Sequence, residues 1–123
     1  MPTEGGTQIR EAAVAAVDLS AHTNLGVKKD AGGEWVKSGD GEAGGILKGA
    51  PKAGEQGTAV LAGKSLVVSG AAWNLYDELA FDAAGKVVPA TTGEAIIGVA
   101  LFEAAGGADQ TREIYVNPMG TKA

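Results

Sequence analysis

The residues from Thr58 to Ser65 end in Gly63-Lys64-Ser65 and approach the phosphate-binding pattern G-x-x-x-x-G-K-[ST], in which backbone amides cradle phosphates and the lysine reaches the terminal one. Two features break the pattern. Thr58 stands where the first glycine belongs, and Ser65 leads into Leu66-Val67-Val68, a strand pattern where the motif needs a helix N-terminus. His22 is the single histidine, so a multi-histidine metal site is excluded by count, and its neighbours Ser20 and Thr23 fit a solvated side chain. Asp77 and Glu78 are adjacent, and on a strand they would point to opposite faces, which spoils them as a carboxylate pair for acid–base work. Asp40, Glu42, Glu94 and Asp109 lie in loops without the D-x-[DN]-x-[DN]-G spacing of a calcium loop, and read as solubilising charge. No nucleophile is supplied with its base, so neither an enzyme nor a cofactor or metal is expected.

The aromatic residues remain. Trp35 and Tyr115 read as core plugs, while Trp73 and Tyr76, in a connector of small residues, suit either the core or a protein interface, where aromatics are enriched. A carbohydrate- or host-binding module is the alternative use of Trp73-Asn74 with Tyr76-Asp77.

The elements that must position these residues are β. Asp82-Ala83-Ala84-Gly85 is followed by Val87-Val88, Gly93-Glu94-Ala95 and Gly98-Val99; Asp30-Ala31-Gly32-Gly33 is followed by Trp35-Val36, Gly41-Glu42-Ala43 and Gly45-Ile46. The offset is 52 residues from Asp30 to Asp82 and 53 from Gly45 to Gly98, so two similar units are expected over about residues 25–60 and 79–117. Each opens with a hairpin: Asp bonds its own backbone two residues on, and Gly accepts positive φ. Ile96 to Phe102 reads as one buried strand, with Gly98 a bend, bulge or close backbone approach. Thr58–Ala62 and Ser65–Ser69 read as two strands around a turn at Gly63-Lys64.

A chain of 123 residues makes one domain, in which aromatics are 5% and glycines number 20, so the core is thin and assembly with a partner is expected to add stability. The net charge of −5 argues against nucleic-acid or anionic-membrane partners, and the absence of cysteine excludes disulfides and thiolate metal sites. No export signal or spanning segment is read. The expected organisation is an N-terminal arm and first extended segment over residues 1–20, either helix or strand over residues 9–19 with strand favoured, then a single small barrel-like or sandwich domain over 21–123. Thr121-Lys122-Ala123 reads as a free tail.

Asp82-Ala83-Ala84-Gly85-Lys86-Val87-Val88-Pro89-Ala90, then Gly93 through Leu101, and the closing Ile114-Tyr115-Val116-Asn117-Pro118 resemble the capsid cement or head decoration proteins of tailed bacteriophages. Asp18-Leu19-Ser20 through Ala50-Pro51-Lys52-Ala53-Gly54-Glu55 resembles their amino-terminal half. The resemblance implies a structural virion protein, made in the host cytoplasm. It would bind the outer surface of the expanded shell, commonly as a homotrimer, and bridge major capsid proteins. Ile9, Arg10 and Val14 of the arm, with Trp73 and Tyr76, are the expected contact residues. The aromatic connector at Trp73 departs from the family pattern, where smaller residues are expected.

Overall fold

The computed structural model describes residues 8–123, and among them the chain is all β with no helix. Its strands are β1 (Ile9–Val14), β2 (Gly26–Lys29), β3 (Trp35–Lys37), β4 (Gly45–Lys48), β5 (Gln56–Val68), β6 (Glu78–Phe81), β7 (Val87–Pro89), β8 (Gly98–Val99) and β9 (Thr111–Val116). They form one curled sheet in the order β3-β2-β4-β5-β9-β8-β6-β7, with β1 also paired to β5. The barrel-like all-β class expected from the turn pattern is the one adopted.

Local chemistry builds the hairpins. Asp30 Oδ1 accepts the amides of Gly32 and Glu34 at 2.9 and 3.0 Å, and Asp82 Oδ1 accepts those of Ala84 and Lys86, both at 2.9 Å. Gly33 and Gly85 both stand at φ 79°, a conformation a side chain would strain. Glu42 and Glu94, expected to be solubilising charge, instead close the following loops by accepting the amides of Gly39 and Thr91.

The pairing then repeats strand by strand. Val27 faces Lys37 and Gly45 in the first half; Leu79 faces Pro89 and Gly98 in the second. Arg10 faces Val60 and Val14 faces Gln56, as Lys64 faces Tyr115 and Val68 faces Thr111. Two five-stranded units therefore span residues 9–62 and 63–116, and β5 closes the first while opening the second. The same glycine is demanded in both: a Cβ on Gly45 would lie 2.8 Å from the carbonyl oxygen of Val60, and one on Gly98 would collide with that of Tyr115.

Several sequence expectations change. β5 is one continuous strand rather than two around a turn, because its first half finds β1 and β4 and its second half finds β9. Ala59 packs in one core cluster while Val60 and Val67 share the other, so the strand turns its faces over between them, and Gly63 at φ 111° is the residue that can do so. Of the run Ile96 to Phe102 only Gly98–Val99 is strand, and Leu101 and Phe102 are exposed. Tyr115 is 37% exposed rather than a core plug, whereas Trp35 is buried and its Nε1 donates to Gly57 O at 3.0 Å. Residues 1–7 of the expected arm lie outside the described residues. Residues 9–14 belong to the sheet, and Ala15 and Leu19 are buried in the core with Trp35.

The units meet head to tail. Phe81 lays its ring over Gly26, the Gly26 amide donates to Gly85 O at 2.8 Å, and the Gly41 amide donates to Phe81 O at 2.9 Å. At the matching place on the second unit, the Gly93 amide donates to Lys122 O at 2.9 Å, and Ile96 to Gly120 O at 2.8 Å. Lys122 Nζ also pairs with Glu78 at 2.7 Å. The segment read as a free tail thus covers the end of the second unit where a third would stack. Deleting residues 119–123 is expected to cost about 2 kcal/mol, from lost backbone bonds at roughly 1 kcal/mol each with partial replacement by water, read as a lowered urea midpoint.

Candidate functional site

Two neighbouring loops gather four exposed large apolar side chains. The Tyr76 amide donates to Ala100 O at 2.7 Å, and Trp73 and Ala105 exchange backbone bonds at 3.0 and 3.1 Å, so residues 73–77 lie beside residues 100–105. Leu75 and Tyr76 on one loop are 45% and 72% exposed, and Leu101 and Phe102 on the other are 41% and 42% exposed. Large apolar residues gathered this way mark an interaction face more often than solvent-facing surface. Lys64 Nζ lies 4.8 Å from the Phe102 ring centroid, tying the loop pair to β5.

Tyr76 carries a second mark. It stands at φ 72°, a region that strains a bulky side chain, and gains no burial in return. The matching position of the first unit is Asn24 at φ 65°, whose amide donates to Leu47 O at 2.8 Å. The turn requires the left-handed conformation, asparagine tolerates it, and the second unit places an exposed tyrosine there instead.

The expected contact residues separate. Tyr76 is on the loop pair. Trp73 is 3% exposed, with Nε1 donating to Glu103 O at 2.9 Å, and occupies the core position that Leu19 holds in the first unit. Ile9 and Val14 are exposed at 60% and 39% on β1, and Arg10, also exposed, donates from Nε to Gln8 Oε1 at 2.7 Å. Leu101 and Phe102 were missed, because an unbroken apolar run gives no sign of where its strand ends, and Leu75 because a lone leucine between Asn74 and Tyr76 carries no pattern.

No cluster of three or more His, Asp or Glu side chains suited to a metal ion occurs among the described residues. Lys64 and Ser65 of the imperfect phosphate pattern lie within β5. Asp77 accepts the Asn74 amide at 2.9 Å, while Glu78 pairs with Lys122, so the two adjacent carboxylates serve different contacts.

His22 is buried rather than solvated, with Nε2 2.8 Å from Gly26 O at the junction of the units. Burial holds its pKa below the usual value of 6.5, outweighing the hydrogen bond to Gly26. The unfolded chain then takes up a proton at a pH where the folded chain stays neutral. Stability from this group is complete above pH 6.5 and declines as the pH falls. His22→Gln is expected to show a smaller loss of urea midpoint between pH 7.5 and pH 5 than wild type.

No family model matches the chain, and no curated protein matches it. Among solved structures, it is similar to the N base of the head fiber gp8.5 of bacteriophage phi29, with a TM-score of 0.66 and 16% identity over 95% of this chain and 100% of that one. At that identity the likeness is one of fold.

Proposed function

We propose that this chain is a structural component of a phage virion that docks on the outer surface of the capsid through the Leu75–Tyr76 and Leu101–Phe102 loop pair. The observation that carries the reading is the fold shared with a head-fiber base, which covers nearly the whole of both chains. The exposed apolar loop pair, the strained Tyr76 and the net negative charge of the chain support it. On this reading the chain is not an enzyme, and its partner is the major capsid protein. Several copies, in the homotrimer that the cement resemblance implies, would bridge neighbouring subunits and stabilise the expanded shell, with modest interfaces made strong by multivalency.

The test is co-sedimentation of the purified chain with heads assembled from the major capsid protein encoded in the same genome. Saturable binding to expanded heads, with raised thermal stability of the shell, is the expected outcome. Absence of binding to expanded and unexpanded heads alike would sink the proposal. A glycan-binding module has less support, since Trp73 is buried and leaves Tyr76 without the aromatic neighbour that the carbohydrate reading relied on.

A further inference from the structure

A groove of about 250 Å³ at the seam between the two units is lined by Gln8, Arg10, Lys48, Lys64, Leu66 and Glu113, with Ser65 at its floor. Arg10 and Lys64 occupy matching positions of the two units, one facing Val60 and the other Tyr115, so the junction itself brings them together. Three cations and one carboxylate give the groove a positive surplus in a chain whose net charge is −5.

Among the described residues the surplus is not neutralised. Lys28, Lys29, Lys64, Lys86 and Lys122 each pair with a carboxylate, Lys64 with Glu113 at 3.4 Å. Arg10 and Lys48 have no carboxylate at ion-pair distance among the described residues. Arg10 is held by the Gln8 amide oxygen, and Lys48 Nζ donates to Asn24 Oδ1 at 2.7 Å and to Leu66 O at 2.9 Å. Neutral acceptors orient the ammonium of Lys48 without offsetting its charge. Burial, then the repulsion of Arg10, brings its pKa down to about 8. A half-buried cation held this way costs the free chain stability that an arriving anion would restore.

We propose that the seam groove receives an acidic side chain, aspartate or glutamate, from a partner protein, seated between Arg10 and Lys48. Charge complementarity selects the ligand, and the arrangement selects a protein over a nucleic acid. A phosphate backbone needs cations spaced along a track, whereas here they are confined to one recess and the other paired lysines already face carboxylates. Lys64 also lies against Phe102, so the groove adjoins the apolar loop pair, and a partner segment with an acidic residue beside an apolar anchor fits both. The chemistry of the groove stands apart from the virion reading, since it holds for whichever protein docks there.

The test is an NMR titration of the full chain with acetylated hexaglutamate, alongside hexalysine, inorganic phosphate and a short oligothymidylate. Hexaglutamate is expected to shift the amide resonances of residues 8–10, 48 and 64–66 saturably, and to bind at least fivefold more weakly to Lys48→Met and to Arg10→Gln. Thermal unfolding of free Lys48→Met at or above the wild-type temperature would show that its fold is intact. No saturable shift at those residues, or equal binding by both folded variants, would overturn the proposal. Tighter binding of phosphate or oligothymidylate than of hexaglutamate would overturn it in favour of a phosphate ligand.

Discussion

Phe81→Ala is expected to destabilise the chain by about 3–5 kcal/mol, the usual cost of removing a fully buried aromatic ring. Phe81 has no exposed surface and belongs to the larger core cluster, and its ring also covers Gly26 of the first unit, 2.7 Å from where a Cβ there would stand. One truncation therefore opens a cavity in the second unit and uncovers the first. Domains of this size have total stabilities of about 5–15 kcal/mol, so much of the margin is lost. A urea titration checks it: a large fall in midpoint is expected for Phe81→Ala, with Phe81→Leu retaining more than half of the difference. A fall under about 1 kcal/mol would mean that the units do not depend on this contact.

The largest functional effect is expected from Tyr76→Asp combined with Phe102→Asp. Both side chains are exposed in the free chain, so stability is expected to change by less than about 0.5 kcal/mol, apart from any relief of strain at Tyr76. If the loop pair is the docking face, two carboxylates placed at its centre would be buried against the partner on binding, the one at position 76 unpaired and the one at position 102 beside only Lys64, which already pairs with Glu113. That costs several kcal/mol and weakens binding to heads by a hundredfold or more. Co-sedimentation of the folded double variant checks this, and Ile9→Asp on β1 is the comparison expected to bind as wild type does.

The hairpins were legible in the sequence because their chemistry is local. Asp30 and Asp82 fold their own turns, Gly33 and Gly85 supply positive φ, and the spacing between the two sets appears directly in the residue order. The equivalence of the first strands of the two units was not, although each was read as a strand. Ile9–Val14 and residues 63–68 share little beyond position, and their equivalence rests on their pairing with residues 56–62 and with β9, which are distant in sequence. The supposed turn at Gly63-Lys64 failed for the same reason: glycine there relieves a change of face within one strand, and a single sequence cannot distinguish that from a reversal of direction.

The candidate site was legible only at Tyr76. Trp73 and Tyr76 are three residues apart in a connector of small residues, yet one fills the place of Leu19 in the core and the other that of Asn24 on the surface. Leu101 and Phe102 continue the apolar run that begins with the buried Ile96 and Ile97, and they become exposed because the strand ends at Val99. The groove at the seam was hidden entirely, because Arg10, Lys48 and Lys64 are brought together only by the stacking of the two units.

The most direct test of the docking account is hydrogen exchange of the chain, free and bound to expanded heads. The loop-pair account predicts that protection gained on binding centres on residues 74–76 and 100–103, with little change in the β2–β3 hairpin at residues 30–34. Protection confined to that hairpin, or to β1, with the loop pair exchanging as fast as in the free chain, would contradict it.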